Sequence, residues 1–245
     1  MTHIANDKLI VALDVESADR ALDLFAQLRD TAGMFKIGMQ LFTAAGPDVV
    51  RQVITRGARV FLDLKYHDIP NTVAAAGVEA ARHGVSIFNV HASGGAEMMK
   101  RTVEAVAETS AREGLTKPAV IAVTVLTSLD RDALGQVGIE EQPDLLVRKL
   151  ARLASVCGLD GVVASAQEIK LIRTEVDRPN FLIVTPGIRS QSATKNDQRR
   201  VLTAADAIRA GADYIVVGRP ILDASNPTDA AAKVVAEIEN ALNES

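Results

Sequence analysis

The sequence has no tryptophan, two tyrosines and one cysteine, and aromatic residues make up 3% of its 245 positions. The lone cysteine, Cys157, has no partner for an internal disulfide, which is typical of a reducing cytoplasm. We therefore expect a cytoplasmic protein, with Cys157 as a buried thiol rather than a nucleophile. Few aromatic side chains and a formal charge of −4 give no indication of a nucleic-acid surface, so no nucleic-acid partner is expected.

Long hydrophobic runs are also absent. The longest apolar stretch, residues 118–126, is interrupted by Thr124 and falls far short of the roughly 18–20 residues of a membrane span. The first residues, MTHIANDKLIVALD, lack the order of a signal peptide and are expected to lead directly into a strand. The composition, 48% hydrophobic and 24% charged, is that of a soluble globular protein with no membrane partner.

Short β-branched runs alternate along the chain with longer segments of helical period. The predicted strands cover residues 8–14, 34–39, 59–65, 86–91, 119–125, 161–165, 181–186 and 214–218. The predicted helices cover residues 18–29, 47–56, 71–83, 96–113, 143–156, 167–174, 204–210 and 227–242. Such alternation implies parallel strands, and eight units without a linker predict an α/β fold, a single-domain (β/α)8 TIM barrel over residues 1–245. The alternative, a doubly wound open sheet, would usually show a glycine fingerprint after the first strand, where this sequence has ALDVESADR.

Charged residues lie at the predicted carboxyl ends of the strands, where barrel enzymes hold their active sites. Side chains alternate along a strand, so Asp63 and Lys65 share the inner face of VFLDLK, and the same parity turns Asp14 and Lys36 inward. Because an uncompensated charge is costly to remove from water, these converging charges must pair. They form either a structural ion-pair network or a catalytic site. The catalytic interpretation is favoured, since hydrophobic residues would often stabilise a barrel better.

A second cluster predicts a phosphate site in the loops after strands seven and eight, which read TPGIR and GRP. Glycines let the backbone approach an anion, arginines offer bidentate forks, and a glutamine is a neutral donor. The residues concerned are Gly187, Gly218, Arg189, Arg219 and Gln198. The alternative is two glycine-marked turns with solvated arginines. The polar loop 190–200 is long for this kind of connection and is interpreted as a lid.

The segment FLDLKYHDIPNT at residues 61–72 resembles the signature of the orotidine 5′-phosphate decarboxylase family. The resemblance extends along nearly the whole chain, in VALD (11–14), KIGMQLF (36–42), NVHASGG (89–95), AVTVLTS (122–128), GLDGVV (158–163), VTPGIR (184–189), NDQRR (196–200) and VVGRP (216–220).

This resemblance implies an enzyme that converts orotidine 5′-phosphate into UMP and CO2 in pyrimidine synthesis, without a metal or an organic cofactor. It implies that Lys65 protonates C6, that Asp63 lies beside the leaving carboxylate, and that Asp68 and Lys36 complete the charged array. The substrate-binding residues that it implies are Asp14, Lys36, Asp63, Thr72, Thr127, Arg189, Gln198, Gly218 and Arg219.

The same resemblance implies a homodimer with shared active sites, in which Asp68 and Thr72 come from the other subunit. Gln191 and Gln198 compete for the phosphate contact. His67 is interpreted as a structural hydrogen-bonding residue, and His91 as one that orients groups under the site.

Three other functions are open. Relatives on the same barrel, such as hexulose-phosphate synthase and keto-gulonate-phosphate decarboxylase, carry a similar DxKxxD string and use Mg²⁺. A Schiff-base aldolase would use Lys65 as its nucleophile, but flanking Asp63 and Asp68 favour the charged lysine. A barrel that binds nucleotide without catalysis is the third.

Overall fold

Each of the eight β-branched runs forms a short strand, largely buried, in the computed structural model, which describes residues 2–188 and 203–244. The strands are β1 Leu9–Ala12, β2 Met34–Gly38, β3 Val60–Tyr66, β4 Ile87–His91, β5 Ala119–Val123, β6 Gly161–Val163, β7 Leu182–Thr185 and β8 Tyr214–Val217. Their order in the sheet follows the chain and closes into a barrel, with parallel pairs such as β1 with β2 and β4 with β5. The predicted (β/α)8 barrel is confirmed. Every strand lies inside its predicted range, except that β3 ends one residue later.

The helices follow the strands as a barrel requires. They are α1 Thr2–Asp7, α2 Ala18–Leu28, α3 Met39–Ala45, α4 Asp48–Thr55, α5 Pro70–Arg82, α6 Gly95–Glu113, α7 Arg131–Gln136, α8 Pro143–Val156, α9 Ile169–Glu175, α10 Ala204–Ala210, α11 Arg219–Leu222 and α12 Pro227–Asn243, with a 3₁₀ turn at Ala92–Gly94. Eight of them match the predicted helices to within two residues at each end. The other four, α1, α3, α7 and α11, were not predicted. They are four to seven residues long, and periodicity over so few residues is a weak signal, although α9 and α10, of seven residues each, were predicted.

Side-chain caps fix where several helices begin. The Ser17 hydroxyl accepts from the Arg20 N–H before α2, and Asn226 accepts from two N–H groups at the start of α12. Thr203 and Asp206 form a reciprocal capping box at α10. Each cap satisfies backbone donors that the helix itself leaves free, which stabilises a helix by about 1 kcal/mol.

The N-terminal expectation of a direct entry into a strand is wrong, because α1 precedes β1. The Gly33 N–H donates to the carbonyl oxygens of Asn6, at 2.9 Å, and Leu9, at 3.2 Å. A Cβ atom at position 33 would lie 2.4 Å from the Asp7 Cα atom, so only glycine permits this approach. A contact between residues this distant in sequence holds the end of α1, and local patterning does not reveal it.

The chain divides into two compact units, of which the first comprises residues 1–63 and 185–245. In it, β1 pairs with both β2 and β8, and β2 pairs with β3. Its core includes an edge-to-face contact between Phe25 of α2 and Phe35 of β2, with ring centroids 5.0 Å apart. Helix α12 packs against α1, α2 and α10.

The second unit comprises residues 64–184 and contains the parallel ladder from β4 through β5 and β6 to β7. Helices α5 and α6 pack together, and a Cβ atom at Gly77 would lie 3.1 Å from Thr102 Cγ2 and 3.0 Å from Phe88 Cζ. A single domain over the full chain stays a prediction. In the described residues, no helix is both long enough and apolar enough to cross a membrane.

We expect Gly161→Ala to destabilise the fold, because its Cβ atom would lie 2.3 Å from the Leu182 carbonyl oxygen across the β6–β7 ladder. Crowding of this kind costs about 1–3 kcal/mol in the free energy of unfolding, measured by urea denaturation. The control is Gly135→Ala in α7, where nothing lies within 4 Å of the added methyl group. It should leave stability unchanged or raise it by up to about 1 kcal/mol. Equal midpoints for the two variants would contradict the predicted crowding.

Candidate active site

The side chains of Asp14, Lys36 and Asp63 meet in the first unit, and the strand ladder explains why. Lys36 lies opposite Ala12 on β1, and Gly38 lies opposite Asp63 on β3. The Lys36 Nζ atom lies 2.9 Å from Asp14 Oδ1 and 3.2 Å from Asp63 Oδ2. The predicted convergence is confirmed for these three residues, here called the Lys36 cluster, and stays a prediction for Lys65.

Burial separates the two carboxylates of the Lys36 cluster. About a tenth of the Lys36 side chain (10%) and of the Asp63 side chain (11%) is exposed, whereas 47% of the Asp14 side chain is exposed. A buried charge is costly unless it is paired, so the bridge to Lys36 stabilises the buried Asp63 carboxylate. Asp14 pairs with the same Lys36 ammonium group, but its side chain is partly exposed. The Asp14 carboxylate is therefore accessible to a polar ligand.

Gly38 makes room for the Lys36 cluster, a role that sequence analysis missed. A Cβ atom at this position would lie 2.9 Å from Lys36 Nζ and 3.1 Å from Asp14 Oδ1. Both distances are shorter than ordinary contacts, so a larger residue would displace the ion pair. One signal in the sequence could have indicated this role of Gly38. It is a glycine at the end of a buried strand, two positions after the inward-facing lysine.

The predicted phosphate residues are only partly described. Gly218 follows β8, and a Cβ atom there would make ordinary contacts with Ala12, at 3.5 Å, and with Asp14 Oδ2, at 3.8 Å. Arg219 is exposed at the start of α11. Gly187 has a φ of 80°, which favours glycine, and lies in open space. Arg189, Gln191, Gln198 and the loop 190–200 lie outside the described residues.

In the second unit, Lys65 has an unusual backbone. Its φ is 52°, and it is the one non-glycine residue with a positive φ in the parts of the chain that the structure describes. The Lys65 N–H donates to the side-chain oxygen of Asn89 on β4, at 2.8 Å. Strand alternation predicts extended backbone through Lys65, and that prediction is wrong at this residue. Asn89 stood inside the family string NVHASGG and was given no role of its own.

Asp68, Thr72 and Thr127 are all exposed. The Asp68 carboxylate accepts from the N–H of Ile69, at 2.6 Å, and Ile69 itself is 66% exposed. Thr72 lies in the first turn of α5, and Thr127 lies in the turn after β5. The structure therefore presents these three residues to solvent within the second unit.

The two histidines of the candidate site contact each other. The rings of His67 and His91 lie 5.4 Å apart between centroids, and His91 precedes the 3₁₀ turn. A Cβ atom at Gly94 would lie 3.2 Å from His67 Cδ2. In residues 2–188 and 203–244, no group of three or more His, Cys, Asp or Glu side chains is placed to hold a metal ion.

Cys157 is buried, as predicted, with 5% of its surface exposed. Its sulfur lies 3.7 Å from the Ala96 carbonyl oxygen. Burial raises the pKa of the Cys157 thiol, although Lys100 opposes that shift. The neutral thiol is therefore favoured, and a thiol is a weak nucleophile.

A parallel (β/α)8 barrel with an acid–lysine–acid cluster on β2, on β3 and just after β1 belongs to the class of barrel enzymes that act at the carboxyl ends of their strands. Residues 7–234 match the model of the orotidine 5′-phosphate decarboxylase / HUMPS family. The chain belongs to this family.

Individual relatives agree with the family match. The chain is 53% identical to an orotidine 5′-phosphate decarboxylase of Moorella thermoacetica over 236 residues, which covers 96% of this chain and 93% of that protein. It is 53% identical to one of Geobacter sulfurreducens over 234 residues, with 96% and 97% covered. The crystal structure of orotidine 5′-phosphate decarboxylase from Lactobacillus acidophilus superposes with a TM-score of 0.83 at 35% identity, covering 94% of this chain and 98% of that one.

We expect Gly38→Ala to impair turnover of orotidine 5′-phosphate more than it impairs folding. The added methyl group must push aside the Lys36 ammonium, and misplacement of a charged group by about 1 Å can cost on the order of 100-fold in rate. The free energy of unfolding should fall by only about 1–2 kcal/mol, because the lysine side chain is able to move. Steady-state kinetics beside urea unfolding measure both effects.

Gly135→Ala serves again as the control and should leave turnover unchanged. If Gly38→Ala kept the kcat/KM of the unmodified protein, the proposed importance of this space for the Lys36 cluster would be refuted.

Proposed function

We propose that this chain decarboxylates orotidine 5′-phosphate to UMP and CO2, the last step of pyrimidine synthesis, with Lys65 as the proton donor to C6. The reaction follows from the family and from the named relatives. The main structural support for the proposed site is the Lys36 cluster. Lys36 pairs with both Asp14 and Asp63, and Asp63 lies two positions before Lys65 in the sequence. The cytoplasmic location and the absence of a cofactor stay predictions.

The electronic problem explains why a lysine is needed. When the bond from C6 to the carboxylate breaks, its electron pair stays on C6 in the plane of the ring, where no π system delocalises it. A cation held at that carbon stabilises the transition state far more than the ground state. Lys65 supplies this charge and then transfers a proton from Nζ to C6. The neutral amine that remains regains its proton from water.

The acidic residues have separate parts in the proposal. Asp63 lies beside the substrate carboxylate, and their repulsion is relieved as CO2 leaves. Lys36 holds Asp63 and the ribose hydroxyls, and Asp14 binds the ribose. The burial of Asp63 and the exposure of Asp14 support this division, because one carboxylate is fixed and the other is accessible.

The phosphate end supplies binding energy remote from the reacting carbon. We assign it to Gly218, Arg219, Arg189 and Gln198, with Thr127 beside the pyrimidine. The position of Gly218 beside Asp14 supports this assignment, because it places the end of β8 next to the proposed ribose acid. Binding energy at the phosphate is then used to orient C6 and to exclude water.

A homodimer with shared active sites forms part of the proposal, with Asp68 and Thr72 supplied by the other subunit. The exposure of the segment that carries them supports it. Ile69, between Asp68 and the start of α5, is a large apolar side chain that is 66% exposed. A partner subunit that covered Ile69 would remove this apolar surface from water and receive Asp68 beside it.

The function is tested by adding orotidine 5′-phosphate with excess EDTA and following its ultraviolet absorbance together with CO2 release. We expect turnover to persist with the chelator, because the chemistry rests on Lys65. Turnover that EDTA abolished would contradict the metal-free mechanism, and no turnover in either condition would favour a Mg²⁺-dependent sugar-phosphate enzyme of the kind described above. Binding of UMP without CO2 release would indicate a non-catalytic barrel.

Lys65→Ala should abolish turnover while largely preserving the affinity for UMP, measured by calorimetry. The control is Lys233→Ala, which removes an exposed lysine from α12 and should change neither quantity. Near-normal turnover by Lys65→Ala would remove the proton-donor assignment.

Subunit exchange tests the shared site. Lys65→Ala and Asp68→Asn proteins are each expected to be inactive. Random reassortment of a symmetric dimer gives one intact site in each mixed dimer, and so about a quarter of full activity. Exchange is verified by mass spectrometry of tagged subunits. No recovery after verified exchange would count against an active site built from two subunits.

A further inference from the structure

The backbone of Lys65 is held in a conformation that the rest of its strand does not use. β3 runs from Val60 to Tyr66 as one strand, yet φ at Lys65 is 52°. This is the left-handed region, which a side chain with a Cβ atom disfavours. Such strain persists only where surrounding structure maintains it, and strained residues cluster at functional sites. The strain therefore requires a specific interaction at Lys65.

Asn89 supplies that interaction. Its side-chain oxygen accepts the Lys65 N–H at 2.8 Å, and Asn89 is 0% exposed. Its neighbours Phe88 and Val90 are 0% exposed as well, and it lies opposite Ile121 in the β4–β5 ladder. The acceptor oxygen is thus fixed to a rigid, buried strand. An amide buried among apolar residues is costly unless its hydrogen bonds are made, and this bond is part of that compensation.

The φ angle decides where the lysine side chain points. Rotation about the N–Cα bond carries the Cβ atom with it, so a φ near 50° places Cβ on roughly the opposite side from an extended strand residue. If the Asn89 acceptor were lost, the Lys65 N–H would lose this hydrogen bond, and the left-handed φ would lose the interaction that holds it against relaxation toward extended backbone. The Lys65 side chain would then leave the strand in a different direction.

We propose that Asn89 is a positioning residue, whose side-chain oxygen fixes the left-handed backbone of Lys65 and so sets the direction of the lysine ammonium group. This inference rests on the proposed function of Lys65 as proton donor. Asn89 does not touch the reacting atoms in this proposal; it acts on the reaction through Lys65.

The test compares Asn89→Leu, which removes the acceptor and keeps the branching at Cγ, with Asn89→Asp, which keeps an oxygen at the same place. The control is Thr102→Val in the same unit, because Thr102 is also 0% exposed and its hydroxyl donates to the Met98 carbonyl oxygen at 2.7 Å. We expect Asn89→Leu to lower kcat by about 100-fold, with UMP affinity changed by less than about threefold. Asn89→Asp should restore most of kcat, and Thr102→Val should lose thermal stability without losing kcat.

A second readout does not depend on activity. Amide hydrogen exchange followed by NMR should show a protected Lys65 N–H in the unmodified protein and in Asn89→Asp, and loss of that protection in Asn89→Leu. If Asn89→Leu does not fold, Asn89→Ala, which removes the acceptor without adding bulk, takes its place with the same expected results.

Two results would overturn the proposal. One is an acceptor-less variant whose kcat falls no further than that of Thr102→Val. The other is an Asn89→Asp protein as slow as Asn89→Leu. Failure of the proposed function is distinguishable, because it shows as continued turnover by Lys65→Ala. An inactive Lys65→Ala protein beside a fully active Asn89→Leu protein would overturn only the positioning role.

Discussion

The charges of the candidate site in the first unit are held together by one ammonium group, Lys36 Nζ, placed between two carboxylates of unequal exposure. Without Lys36, Asp63 would be a nearly buried carboxylate without this bridge, and breaking such a pair typically costs about 3–5 kcal/mol. The same ammonium also holds the exposed Asp14. A purely structural purpose would be better served by apolar side chains, because buried ion pairs are weak stabilisers. The proposed substrate-binding role accounts better for a fixed charge pattern whose Asp14 side is exposed.

Strand register is what makes this pattern rigid. Parallel pairing of β2 with β1 and β3 fixes the Cα positions of Lys36 and Asp63. Asp14 follows β1, where the Leu13 N–H donates to the Lys36 carbonyl oxygen at 2.9 Å, and Gly38 keeps the space that the Lys36 head group occupies. A charge held in this way does not need to reorganise when the substrate charge changes, which is the condition under which electrostatic groups contribute most to catalysis. The family match and the ion-paired geometry therefore support the same function from independent directions.

The sequence predicted the barrel and the Lys36 cluster because both follow from regular strands, where alternation fixes which side chains share a face. The sequence-based prediction failed where one backbone dihedral angle or one long-range contact determines the local structure. The helix α1 depends on the close approach of Gly33, and the direction of Lys65 depends on one dihedral angle of 52°. Gly38 and Asn89 were missed for the same reason. Each acts on a neighbouring lysine, Gly38 on Lys36 and Asn89 on Lys65, through a contact that strand alternation does not reveal. Arg189 and Gln198 lie outside the described residues and are untested.

The failure at Lys65 is itself informative about how this site is built. A lysine on a regular strand would point where alternation sends it, and the free energy of folding would favour that direction. Here the chain instead accepts a disfavoured conformation at one residue and holds it with a buried amide, Asn89. Stability alone gives no reason to place both a strained lysine and a buried polar acceptor at the end of a strand. The combination is understandable if the lysine must point in a direction that an ordinary strand does not provide, as the proposed proton donor must.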